Sequence, residues 1–126
     1  MCIRDRLYVG TVVTGSGPHA GAIDSPRNNL DPRALSQLHT DVVFLLLGLT
    51  VAAVLVLRAV DAPERARRAA GTLLGVELAQ GLVGFTQYFT DLPVGLVTLH
   101  LLGAALTSAA MTWLLLGVRD RGELTA

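Results

Sequence analysis

Three stretches of this chain are each long and apolar enough to cross a membrane, and they leave few other folds open. They are 34–57 (ALSQLHTDVVFLLLGLTVAAVLVL), 69–90 (AAGTLLGVELAQGLVGFTQYFT) and 93–118 (PVGLVTLHLLGAALTSAAMTWLLLGV). A helix crosses the hydrocarbon core with ~20 predominantly apolar residues. A soluble helical bundle would bury such helices too, but each would keep a charged face toward water. Val42–Leu57 carries no charge, and 93–118 carries none at all. Composition agrees, with 52% hydrophobic and 16% charged residues, against about 25% charged in an ordinary soluble domain. The pattern predicts an all-α integral membrane protein. So few charges among so many apolar residues also exclude a disordered chain. Ten Arg balance ten Asp and Glu, so there is no basic footprint for nucleic acid. A single cysteine, Cys2, excludes an internal disulfide framework and a Cys-based zinc site.

A fourth apolar segment, Leu7–Val13, is too short to span and runs into Gly15-Ser16-Gly17-Pro18, which stops a helix. It reads as the last turns of a further helix. Met1–Arg6 lacks the long apolar core of a signal peptide. The expectation is that residues 1–6 are a non-native start and that the chain is a piece of a longer protein. Orientation follows from arginines in short loops. Arg58, Arg65, Arg67, Arg68, Arg119 and Arg121 fall on one side, against Arg27 and Arg33 on the other. The 58–68 loop and the 119–126 tail are therefore expected in the cytoplasm. The 16–33 loop and the Asp91-Leu92-Pro93 turn are expected outside.

Ionisable groups inside a span are costly, and each is a candidate for function. His39 lies five residues into the first span and His100 seven residues after Pro93. At 1.5 Å per residue these are depths of ~8 and ~10 Å from the outer ends. The two spans run in the same direction, so the imidazoles can lie at one level, as a pair of axial ligands to a haem iron would. The plainer reading is that each imidazole only hydrogen-bonds across helices. Zinc is disfavoured, since it takes three or four protein ligands. On the His100 face, Gly103, Ala104, Thr107, Ser108 and Met111 either leave room for a flat ring or let helices approach closely. Gln37, Thr40 and Asp41, with Ser36 a weaker candidate, are placed to orient the His39 ring.

The second span carries a polar stripe, Glu77, Gln80, Gly84 and Gln87, which shares one helical face. Glu77 is either a proton-relay group or a carboxylic acid hydrogen-bonded to a neighbouring helix, and the second reading is preferred. Tyr88, Phe89 and Trp113 read as interfacial anchors or packing. His19, in the glycine-rich outer loop, reads as a solvated histidine.

Five segments in order resemble the C-terminal half of haem A synthase, particularly of the actinobacterial type. They are Val13-Thr14-Gly15-Ser16-Gly17-Pro18-His19-Ala20-Gly21, Gln37-Leu38-His39-Thr40-Asp41, Ala79-Gln80-Gly81-Leu82-Val83-Gly84, Gln87-Tyr88-Phe89 and Leu99-His100-Leu101-Leu102-Gly103-Ala104. The resemblance covers the chain from about Leu7. It implies a C-terminal four-helix transmembrane bundle with three complete spans and a truncated first helix. The family oxidises the C8 methyl of haem O to the formyl group of haem A, for cytochrome oxidase. By resemblance, His39 and His100 are the axial ligands of a b-type haem cofactor, and Gln37, Thr40, Asp41, Gln80, Gln87 and His19 are candidates for the surrounding shell. The substrate haem O belongs to the N-terminal half, which has its own His pair and a glutamate and is not among these residues. This chain alone is accordingly expected to be inactive. Haem O synthase is an implied partner, membrane lipid a further one, and the bacterial cytoplasmic membrane the implied location. Some members carry a cysteine pair in the outer loops; the 16–33 loop has none, so no cysteine chemistry carries over. Two other readings stand beside this one, an electron-transfer cytochrome b-like membrane protein and a haem-free structural subunit.

Overall fold

The computed structural model describes Tyr8, Gly10–Val12 and residues 31–119. Three helices make up nearly all of this: α1 (Pro32–Ala59), α2 (Glu64–Phe89) and α3 (Val94–Arg119). They hold 28, 26 and 26 residues, which is about 42, 39 and 39 Å of helix. Each is long and apolar enough to cross a membrane, so the chain is an all-α, multi-pass membrane protein. The described residues contain no strand.

The ends have local causes. α2 begins five residues before its apolar stretch because the Glu64-Arg65-Ala66-Arg67-Arg68 segment favours helix. Its first turn is tied by Arg67 and Arg68, which donate to Glu64 at 2.7 and 2.8 Å. Acid preceding base by three or four residues is the favourable order on a helix. At the other end Thr90, expected inside the span, has left the helix, because the chain turns there.

Both turns use one device. After α1, Asp61 takes a left-handed backbone (φ 47°). Asp61 N–H then donates to the Arg58 carbonyl and Ala62 N–H to the Leu57 carbonyl, a Schellman closure that satisfies carbonyls left over at the helix end. After α2, Asp91 and Leu92 are left-handed (φ 55° and 58°), and Leu92 N–H closes onto the Gln87 carbonyl at 3.0 Å. Each turn runs Asp-x-Pro, with Pro63 or Pro93 opening the next helix. Asp tolerates this backbone better than most residues, and Pro cannot extend the helix it follows.

The chain forms two compact units, Met1–Leu46 and Leu47–Ala126. The first holds the helical residues Tyr8 and Gly10–Val12 and the opening half of α1. The second holds the rest of α1 with α2 and α3. In the second unit large apolar side chains face outward, Leu55 60%, Leu82 70% and Leu101 58% exposed. Such a surface is untenable in water and is matched to lipid. Tyr88 and Phe89 stack edge-to-face, 5.5 Å apart, at the end of α2. Both are exposed, as interfacial anchors are.

The core of the second unit is made of alanines and leucines. Ala69, Ala70 and Leu73 of α2 meet Ala110 and Leu114 of α3, and Val54, Leu57 and Met111 pack against them. A Cβ on Gly117 would lie 3.4 Å from the Ala66 Cα, so two backbones nearly touch there. Lipid tails are as apolar as leucine, and close packing of this kind holds membrane helices together. On α2 one inward register runs Ala66, Ala70, Leu73, Glu77, Gln80, Gly84 and Gln87, with Ala69 buried beside it. On α3 it runs His100, Gly103, Thr107, Ala110, Leu114 and Gly117. The steps alternate between three and four, the spacing of a left-handed helix pair. One end of this seam is apolar and the other is polar.

Candidate haem-ligand site

The polar end of the α2–α3 seam brings together His100, Glu77, Gln80, Gly84 and Gln87. His100 is half-buried on α3. Its ring lies against Gly84 of α2, where a Cβ would stand 3.3 Å from His100 Cε1 and 3.8 Å from Nδ1. The Nδ1 atom is buried. One turn along α2, the Gln80 side chain reaches the same segment. Its Nε2 donates to the main-chain carbonyl of His100 at 2.9 Å. Gln80 therefore fixes the backbone that carries the imidazole.

Gln80 also settles the question of the small residues. The amide fills the space beside Gly103, and a Cβ on Gly103 would overlap it. Thr107 is fully buried and donates to the Gly103 carbonyl at 2.8 Å. Gly103 and Thr107 thus serve close helix packing and leave no open slot for a ring. Ala104 and Ser108, on the adjoining strip, stay half-buried. Ser108 donates to the Ala104 carbonyl at 2.9 Å. Such back-bonding satisfies a hydroxyl in hydrocarbon without a second helix.

Glu77 sits deeper along the same face, 5% exposed. Thr50 of α1 donates its hydroxyl to Glu77 Oε1 at 3.1 Å. The carboxyl is thus hydrogen-bonded to a neighbouring helix. Thr50 itself was not singled out; the available signal was a lone hydroxyl inside the charge-free Val42–Leu57 run. Gln87 is buried, and its carbonyl accepts from Thr90 and Leu92 to close the turn.

The first unit holds the other histidine. His39 is half-buried on α1, and its Nδ1 is buried. Its ring faces Gly10, where a Cβ would lie 3.5 Å from Cε1 and 3.8 Å from Nδ1. Gln37 donates to Asp41 at 2.9 Å, and Thr40 donates to the Ser36 carbonyl at 2.9 Å. These bonds run along α1 itself. His19, Met1–Arg6 and the 120–126 tail lie outside the described residues.

Each imidazole thus rests edge-on against a glycine. Gly84 was already part of the polar stripe, but its partner across the seam was not legible; Gly10 carried no sequence signal. Among the described residues no three His, Cys, Asp or Glu side chains gather as a metal-ion site. Comparisons with protein-family models, curated proteins and solved structures found no match to this chain.

Proposed function

We propose that this chain is the haem-cofactor half of a membrane oxidoreductase of the haem A synthase type, seated in the bacterial cytoplasmic membrane. His39 and His100 would hold a b-type haem through its iron. The observation that carries the reading is common to both histidines. Each is an imidazole inside an apolar helix, with its Cε1–Nδ1 edge laid against a glycine, Gly10 or Gly84. A bulkier residue at either glycine would take the place of the ring. The sequence also places each histidine ~8 to ~10 Å from the outer end of its span, which adds to this.

The donor set fits the group. Neutral imidazole is a usual axial ligand of haem iron, which then supplies one-electron chemistry. With Nδ1 buried against glycine, we assign Nε2 as the ligating atom. Gln80 holds the His100 backbone at a fixed height on α3, which supports the ligand as outer-shell groups do. The apolar flanks of the helices keep water away, and this tunes a haem potential. In this reading haem O is oxidised at a second His-bearing half outside these residues, and haem O synthase supplies it.

The test is a reduced-minus-oxidised optical spectrum of the detergent-purified chain beside His39→Ala and His100→Ala. A low-spin b-type signal that both substitutions abolish is expected. A helical, membrane-inserted sample without haem, or a signal that survives either substitution, would overturn the reading.

A further inference from the structure

The second unit carries a charged depression that the haem reading does not use. It opens at the α1–α2 turn, has a volume of about 410 Å³, and is lined by Arg58, Glu64, Arg67 and Arg68. We propose that it seats the headgroup of an anionic phospholipid bearing two phosphodiesters.

Charge is the first argument. Three guanidiniums and one carboxylate line the depression, so its formal charge is 3 − 1 = +2. Glu64 takes one terminal nitrogen of Arg67 and the Nε of Arg68. Each guanidinium has five N–H donors, so both keep donors to spare for a second anion. Among the described residues Arg58 forms no salt bridge. Glu64 thus aligns two arginines without neutralising the cluster. Two phosphodiesters would neutralise it, and guanidinium pairs with phosphate oxygens in a planar, two-bond geometry.

Position is the second argument, and it chooses a lipid over a free anion. Arg58 ends the apolar run of α1 and is flanked by Val56 and Val60, 57% and 66% exposed. Arg67 and Arg68 stand just before the apolar stretch of α2. The cations therefore sit where the lipid-facing surface stops, at headgroup level. Acyl chains can cover the exposed valines while the phosphates meet the arginines. Basic pockets beside spans on the cytoplasmic side are suited to such headgroups, and this turn lies on the side that the arginine distribution assigns to the cytoplasm.

The experiment uses the full chain in a neutral detergent, titrated with cardiolipin, phosphatidylglycerol, phosphatidylcholine or inorganic phosphate, with binding read by native mass spectrometry. Cardiolipin should bind tightest. At the worth of one basic residue near an anionic headgroup, Arg58→Gln with Arg68→Gln should weaken it about thirtyfold. Glu64→Gln raises the formal charge and should tighten it about fivefold. That variant decides the matter if the double variant does not fold. Binding of phosphatidylcholine or phosphatidylglycerol as tight as that of cardiolipin would overturn the proposal. So would inorganic phosphate matching the lipid, which marks a free-anion site, or affinities unmoved by the variants. The outcome does not depend on haem.

Discussion

The contact between Gln80 and Gly103 makes a definite prediction about non-additivity. The Gln80 amide occupies the volume that a Cβ on residue 103 would need, and it donates to the His100 carbonyl. Gln80→Ala removes that bond, worth about 0.6–1.7 kcal/mol between membrane helices. Gly103→Ala must expel the amide, so it loses the same bond. It adds an overpacking cost of about 1–3 kcal/mol and recovers about 1 kcal/mol of helix propensity. Gln80→Ala should therefore be destabilised by about 0.6–1.7 kcal/mol and Gly103→Ala by roughly 1–3 kcal/mol. In the double variant the bond is lost once, no amide remains to collide, and the methyl introduced by Gly103→Ala fills part of the void. Its destabilisation should match or fall below that of Gln80→Ala alone, a coupling of at least about 1 kcal/mol toward stability. Unfolding of the four proteins in mixed micelles, followed by helical circular dichroism, measures the cycle. Additivity within about 0.5 kcal/mol would refute the claim that the two residues share one space.

The glycines beside the histidines should differ in tolerance. A Cβ at Gly84 meets His100 at 3.3 Å and one at Gly10 meets His39 at 3.5 Å, so Gly10→Ala should leave the haem spectrum unchanged and Gly84→Ala should shift it slightly. Gly84→Leu should abolish it; a native spectrum in Gly84→Leu would remove Gly84 from the site. Thr50→Val deletes the donor to Glu77 Oε1 and should cost about 1 kcal/mol in the same micelle assay, whereas Thr112→Val, whose hydroxyl bonds back to the Ser108 carbonyl of its own helix, should be close to neutral.

The spans were legible because charge is forbidden in hydrocarbon, and the charge-free run Val42–Leu57 announces its environment residue by residue. The polar stripe from Glu77 to Gln87 was legible for the same reason, since three polar side chains on one face must turn inward. Its continuation through Ala66, Ala70 and Leu73 was not. From Ala69 to Val76 the helix carries no charge to set a face that meets lipid apart from one that meets α3. The first turn was equally hidden, although Asp61-Ala62-Pro63 repeats the signature of Asp91-Leu92-Pro93. Arg-rich sequence continues helically after it, and only the left-handed Asp61 marks the break.

The pairing of glycine with imidazole shows why the site was harder to see than its histidines. A histidine in a span declares itself by its cost, but what it leans on lies on another helix, at a distance set by the seam and not by sequence spacing. Gly103 makes the same point from the other side. Three residues from His100, it suggested space for a ring, yet Gln80 claims that space from across the seam. A small residue in a membrane helix leaves a gap, and whichever neighbour can also satisfy a backbone acceptor gains most by filling it, because no water competes for the bond. Gln80 is long enough to reach past Gly103 to the His100 carbonyl; an aliphatic side chain could fill the gap but could not donate. The small residues therefore bring α2 close enough for a polar side chain to hold the turn that carries His100. Beside His100 the strip of Ala104 and Ser108 stays half-buried, while the space at Gly103 is taken by Gln80.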